Sequence, residues 1–126
     1  MSFDRTKPEI EFPGAAPPPE LVVEDQIVGE GATAVAGSTV VTHYVGVAHS
    51  TGEEFDASWN RGEPLSFQLG AGQVIAGWDQ GLQGMRVGGR RTITIPPHLG
   101  YGDRGAGAAI KGGETLIFVV DLVDVR

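Results

Sequence analysis

Only one stretch of this 126-residue chain carries a helical period. Ile75, Trp78, Leu82 and Met85 stand three, four and three residues apart, which puts them on one face of an α-helix. The same stretch holds Gly77, Gly81 and Gly84, each costing up to about 1 kcal/mol relative to alanine in a helix interior. The spacing therefore predicts a helix of about two turns, held by packing rather than propensity. Its glycines would let it lie close against a sheet. The remaining regular segments read as strands. Residues 21–28 are rich in Val, with Leu and Ile, and residues 29–31 (GEG) form a turn. Residues 39–47 (TVVTHYVGV) are rich in β-branched and aromatic side chains. Residues 65–69 and 91–95 alternate with period two, and Pro96 and Pro97 end the second run. In residues 115–125, Leu116, Phe118, Val120 and Leu122 share one face. The pattern predicts an α+β domain, with antiparallel strands, one central short helix and glycine-rich loops. No internal repeat is visible.

Five of the eight prolines, Pro8, Pro13, Pro17, Pro18 and Pro19, precede residue 20. Proline lacks an N–H and fixes φ, so residues 1–19 read as an extended arm, polyproline-like after Gly14, with the folded domain over residues 20–126. The arm reads as a disordered or surface-draped tail, or as a docking motif for a proline-binding partner. Glycine supplies 20 of 126 residues, more than twice the average of about 7%. The absence of a triplet period excludes collagen, and the glycines instead indicate turns or close backbone approaches. With no cysteine, disulfides, thiol nucleophiles and cysteine-ligated metal centres are excluded. A net charge of −7 argues against binding nucleic acid. The longest aliphatic and aromatic run, residues 116–120, has five residues against the roughly 20 of a membrane span. The start, MSFDR, shows neither a basic nor an apolar signal region, so a cytoplasmic protein is expected.

Few residues suggest covalent or metal chemistry. His43, His49 and His98 lack the spacing of a helical metal pair, and His43 reads as packed or hydrogen-bonded within a strand. No G-x-S-x-G elbow occurs. Gly70 and Gly72 imitate the start of a dinucleotide fingerprint, but Ile75 stands where the third glycine should be. Arg90 and Arg91, the one basic pair of the domain, read as a solvated strand edge. Asp56 follows Phe55 and precedes Arg61 by five residues, as either a surface salt bridge or an ion pair beside an apolar site.

A family resemblance rests on motifs in order along the chain. They are residues 41–46 (VTHYVG), 52–56 (GEEFD), 73–82 (QVIAGWDQGL), 84–88 (GMRVG), 95–102 (IPPHLGYG) and 116–118 (LIF). Together they resemble the FK506-binding protein (FKBP) family of peptidyl-prolyl cis-trans isomerases, over nearly all of residues 20–126. The resemblance implies an antiparallel β-sheet wrapped around one short α-helix. It also implies catalysis of X–Pro rotation in proline-containing polypeptides during protein folding, and binding of the macrolides FK506 and rapamycin in the same pocket. A monomer without cofactor, metal, nucleic-acid or membrane partner is expected.

Carried over by position, the resemblance makes Trp78 the pocket floor and Tyr44, Phe55, Val74, Ile75 and Phe118 its apolar walls. Tyr101 would offer a hydroxyl to a carbonyl. Asp56 would face the rotating amide, oriented by Arg61 and Tyr44. Asp56, Tyr44, Tyr101 and Phe118 are thus the candidate catalytic residues. Phe55, Arg61, Leu65, Gln73, Val74, Ile75, Trp78, Gly100 and Ile110 are the candidate binding residues, with Ile110 in a glycine-rich flap over residues 100–113. Leu65 stands where an aromatic residue is frequent, and Gln73 where Glu is frequent, in a role served largely by the backbone. Gly100, Ala106, Lys111 and Gly112 also depart from the commonest pattern. These departures bear on substrate preference and drug affinity rather than on activity. Two other readings stay open: a non-catalytic chaperone or partner scaffold of the same fold, and an arm that caps the protein's own pocket.

Overall fold

The computed structural model describes residues 6–10, 16–107 and 110–126. Six strands form one antiparallel sheet: β1 (Val22–Ile27), β2 (Thr39–Ala48), β3 (Glu54–Ala57), β4 (Leu65–Gln68), β5 (Arg90–Ile95) and β6 (Leu116–Val125). The order is β1-β5-β6-β2-β3, and β4 also pairs with β2. The long β2 serves two partners along one edge. Its first half, from Thr39 to Thr42, pairs with β4, and its second half, from Val45 to Val47, pairs with β3. Between those short strands sits α1 (Ser58–Arg61), a single turn that the sequence pattern does not reveal. The second helix, α2 (Ala76–Gly81), lies against the inner face of the sheet.

The period-two segments bury the residues their alternation assigns. Leu116, Phe118, Val120 and Leu122 of β6 join Ile93 and Ile95 of β5 in the main core, which also takes Trp78 and Leu82. On the other side of the sheet, Val45, Val47, Ala57 and Ile117 form a smaller outer cluster.

The helix is shorter than its apolar spacing predicts. Met85 is buried, but it lies beyond the last helical residue, after a turn in which Gly84 has φ +86°. Two of the three glycines act as expected. A Cβ on Gly77 would lie 2.5 Å from Ile95 Cγ2, and one on Gly81 3.0 Å from Ile93 Cγ2. Gly84 has open space around it, so its role is the left-handed turn and not a close approach.

Arg90 and Arg91 do not form a solvated edge. Strand β5 runs between β1 and β6, and both side chains are engaged. Arg90 forms a two-pronged ion pair with the fully buried Asp121, at 2.8 and 3.0 Å. Arg91 pairs with Asp25 and donates to the carbonyls of Gly81 (2.9 Å) and Gln83 (3.2 Å). Gly81 is the last residue of α2, where helical acceptors lack partners, and Gln83 lies in the turn that follows. A charge on the sheet thus closes a helix too short to be stable alone.

Of the predicted arm, residues 1–5 and 11–15, with Pro13 and Gly14, lie outside the described residues. Lys7 pairs with Glu54 (2.7 Å) and donates to Asn60 (2.9 Å), while Ile10 packs on the outer cluster. Among the described residues, no helix is long and apolar enough to cross a membrane.

Candidate active site

Strand alternation sends Tyr44 of β2 and Phe118 of β6 to the inner face, where α2 presents Trp78. Their rings meet the indole edge-on, with centroids 5.0 Å and 5.2 Å away. Phe67 of β4 reaches it from another side at 5.6 Å, and Phe55 of β3 stands edge-on to Phe118 at 5.4 Å. Edge-to-face contacts of this kind add about 0.5–1.5 kcal/mol each beyond area burial and set ring orientation. Trp78, 3% exposed, is thereby locked as the floor of an open cup of about 180 Å³. Tyr44, Phe55, Asp56, Leu65, Gln73, Val74, Ile75, Trp78, Tyr101 and Phe118 line it. Drug-sized pockets run to roughly 300–1,000 Å³, so this cup suits a single ring, and a larger ligand would extend over its rim.

The polar side of the cup is a closed triangle. The Tyr44 hydroxyl donates to Asp56 Oδ2 (2.5 Å), while Arg61 donates from Nη1 to Asp56 Oδ1 (2.7 Å) and from Nη2 to the Tyr44 oxygen (2.8 Å). Three elements, β2, β3 and α1, supply its corners. Burial pushes the Tyr44 phenol above its ordinary value, with the hydrogen bond to Asp56 adding to the shift. The hydrogen bond to Tyr44, followed by that to Asp56, holds the Arg61 guanidinium in its charged form. Tyr101 stands at the rim, 40% exposed, and its hydroxyl makes no hydrogen bond to another described residue. Burial, then the charge of Asp56, raises its phenol as well. The arrangement offers a recess walled mainly by aromatic and aliphatic side chains and bordered by a fixed carboxylate and a rim hydroxyl. It can bind a ring and present polar groups to an attached amide.

The model of the FKBP-type peptidyl-prolyl cis-trans isomerase family matches residues 30–123. The chain belongs to that family. It is 69% identical over 120 residues to an FK506-binding protein of Streptomyces anulatus, covering 94% of this chain and 97% of that one. The crystal structure of AtFKBP13 superposes with a TM-score of 0.78 at 43% identity, over 84% of this chain and 93% of that one. That of FkpA from Escherichia coli gives 0.76 at 42%, over 84% of this chain and 48% of the other. The FKBP fold expected from the motifs is the one observed.

Three candidate residues do not line the cup of this FKBP chain. Arg61 stands behind Asp56 as its brace, with an exposed side chain. Gly100 packs over the core, where a Cβ would come 3.3 Å from Leu116 Cδ1. Ile110 is buried in the main core and exchanges backbone hydrogen bonds with Ala106 at 2.8 and 3.2 Å. It anchors the glycine-rich segment; residues 108 and 109 lie outside the described residues. Gly105 and Gly112 of that segment press against the backbone of Ile110 and Asp103, so its glycines serve close chain crossings as well as turns.

Sequence reasoning missed two residues that shape the cup. Phe67 could have been found, because it lies two residues from both Leu65 and Leu69 and so shares their face. Gly46 carries no such signal. A Cβ there would sit 2.6 Å from both Phe118 Cε1 and Phe55 Cζ, so its missing side chain makes room for the rings. Gln73 also uses its side chain. Its side-chain oxygen accepts a hydrogen bond from the Gln68 N–H (2.8 Å), and so ties the rim back to β4. His43 is hydrogen-bonded as expected, through Nδ1 to Ser58 Oγ (2.9 Å), under the stacked ring of Trp59. Residues 6–10 lie on the outer face, beside Val45 and Val47, which point away from their inward neighbours Tyr44 and Gly46. The described part of the arm does not reach the cup.

Proposed function

We propose that this chain catalyses cis-trans rotation about X–Pro bonds in polypeptides, and that the same cup takes FK506 and rapamycin. Family membership supports isomerase activity in general. The observation that carries the reading for this chain is the ring-sized cup over Trp78, with Asp56 held on its border by Tyr44 and Arg61.

Rotation about an X–Pro amide must break resonance worth about 18–20 kcal/mol, yet no bond is made or cut. An enzyme for it must favour the twisted amide over both planar isomers. A twisted amide has lost its conjugation, and a recess that excludes water receives it better than bulk solvent does. In this reading the pyrrolidine ring rests on Trp78 between Phe118, Tyr44, Phe55, Val74 and Ile75. Tyr101 donates its hydroxyl to a substrate carbonyl, and Asp56 faces the rotating amide. Arg61 orients Asp56, Leu65 and Gln73 border the substrate chain, and Gly100 and Ile110 support the flap. A macrolide would fill the cup with one ring and rest the remainder on the rim.

The test is X–Pro isomerisation of a short peptide with the purified chain. Turnover is expected, with a loss of about tenfold or more on Asp56→Ala. A folded wild-type protein without turnover would overturn the reading and favour the scaffold alternative. Titration of FK506 into a Trp59→Phe variant, read by Trp78 fluorescence, tests the macrolide separately. A saturable change is expected, and its absence at micromolar ligand would refute that part.

A further inference from the structure

The wall formed by Gln73, Val74 and Ile75 belongs to the loop between β4 and α2, and this loop contains two glycines at positive φ, Gly70 (+79°) and Gly72 (+75°). Leu69 is buried at its start and Val74 and Ile75 pack against the core at its end, but residues 70–73 between them are exposed and bury no side chain. Asp79, the residue after the Trp78 floor, turns its carboxylate back onto it. Oδ1 accepts from the Gly70 N–H (2.9 Å) and Oδ2 from the Gly72 N–H (3.0 Å). Both oxygens of one carboxylate thus hold the two N–H groups at the turning points of the loop. Hydrogen bonds to an ionised acceptor are roughly twice as strong as neutral ones. Gln73 braces the same loop from the β4 side through the Gln68 N–H.

We infer that Asp79 is a positioning residue for the binding wall, locking Val74 and Ile75 at a fixed distance from the indole of Trp78. This rests on the proposed isomerase reading of the cup. Asp79 does not line the cup, so it acts only through the loop. The Tyr44–Asp56–Arg61 triangle is built from β2, β3 and α1 and makes no hydrogen bond to that loop. Loosening the wall should weaken contacts made equally to ground and twisted states, and so raise KM while leaving kcat in place. An ordinary fold defect would lower the active fraction and kcat instead.

The test compares Asp79→Asn and Asp79→Ala with the full wild-type chain, using an X–Pro peptide and the amide NMR spectrum. Asparagine is isosteric and keeps one acceptor, whereas alanine keeps none. KM should rise about fivefold in Asp79→Ala and less in Asp79→Asn, with kcat within about twofold of wild type. The Gly70 and Gly72 amide protons should move upfield in the same order. An unchanged KM, a fall in kcat at constant KM, or unmoved Gly70 and Gly72 resonances would each overturn the inference. If the wild type itself fails to turn over the peptide, the isomerase reading falls, and the two glycine resonances still decide whether Asp79 braces the loop.

Discussion

Gly77→Ala sets two opposed effects against each other, and the structure decides between them. Alanine is favoured over glycine by at most about 1 kcal/mol in a helix, and Gly77 lies in the first turn of α2. Against that, the new methyl would sit 2.5 Å from Ile95 Cγ2 and 2.7 Å from both Cδ1 and Cγ1. Ile95 is fully buried, and its branch carbon has no solvent to retreat into. Overpacking of this kind costs about 1–3 kcal/mol, so the substitution should destabilise the protein by about 1 kcal/mol net. Ile95→Ala alone should cost about 2–5 kcal/mol through the cavity it leaves. It also removes all three opposing atoms. In that background Gly77→Ala should reverse sign and stabilise by up to about 1 kcal/mol, a coupling near 2 kcal/mol. Ile95→Val is the control, since it keeps Cγ2 and should relieve little. Urea midpoints followed by circular dichroism would measure all four corners of the cycle at constant m. If Gly77→Ala has the same sign with and without the Ile95 side chain, the close approach of α2 to β5 is not what requires glycine at 77.

Gly46→Ala should drive a methyl into Phe118 and Phe55 and cut kcat/KM by up to about 100-fold, as a misplacement near 1 Å can do; peptide isomerisation measures it. The raised phenols of Tyr44 and Tyr101 keep their protons longer in the folded state than in the unfolded one. Their contribution is present in full below the ordinary value of 10.0 and is lost as pH rises through the raised folded value. Unfolding free energy measured in urea should therefore fall above about pH 10, less steeply in Tyr44→Phe. The hydrogen bond from Lys7 holds the Glu54 carboxyl below its ordinary 4.5, which gives stability above that value and loses it as pH falls through the lowered one. Lys7→Ala should flatten that acid limb, and the bridge being half exposed, the change in midpoint at neutral pH should stay small.

What could be read from the sequence follows from periodicity. The β5 and β6 runs bury the residues that alternation assigns, because a strand's two faces are set by its own geometry. Tyr44, Phe55, Trp78 and Phe118 were legible as a set through the motifs, and the cup brings them together. Met85 shows the limit. Its spacing fits a helix face, yet a turn after Gly81 delivers it to the same core, and burial alone cannot reveal which backbone carries it. Arg90 and Arg91 look solvated by composition, and only the insertion of β5 between β1 and β6 gives them the buried Asp121 and the carbonyls of Gly81 and Gln83.

The sequence by itself determined five of the six strands, the place of α2, the inward faces, the aromatic residues that line the cup and the family. Tertiary structure decided which glycine makes room for a neighbour and which only turns the chain, because a missing side chain has no chemistry until a neighbour comes close. Gly77 and Gly46 make room for Ile95 and for two aromatic rings, while Gly84 only turns the chain. It decided the partners of the polar groups too. Asp79 bridges Gly70 and Gly72, and Arg91 reaches the carbonyls of Gly81 and Gln83, through bonds between segments whose mutual placement no local pattern encodes.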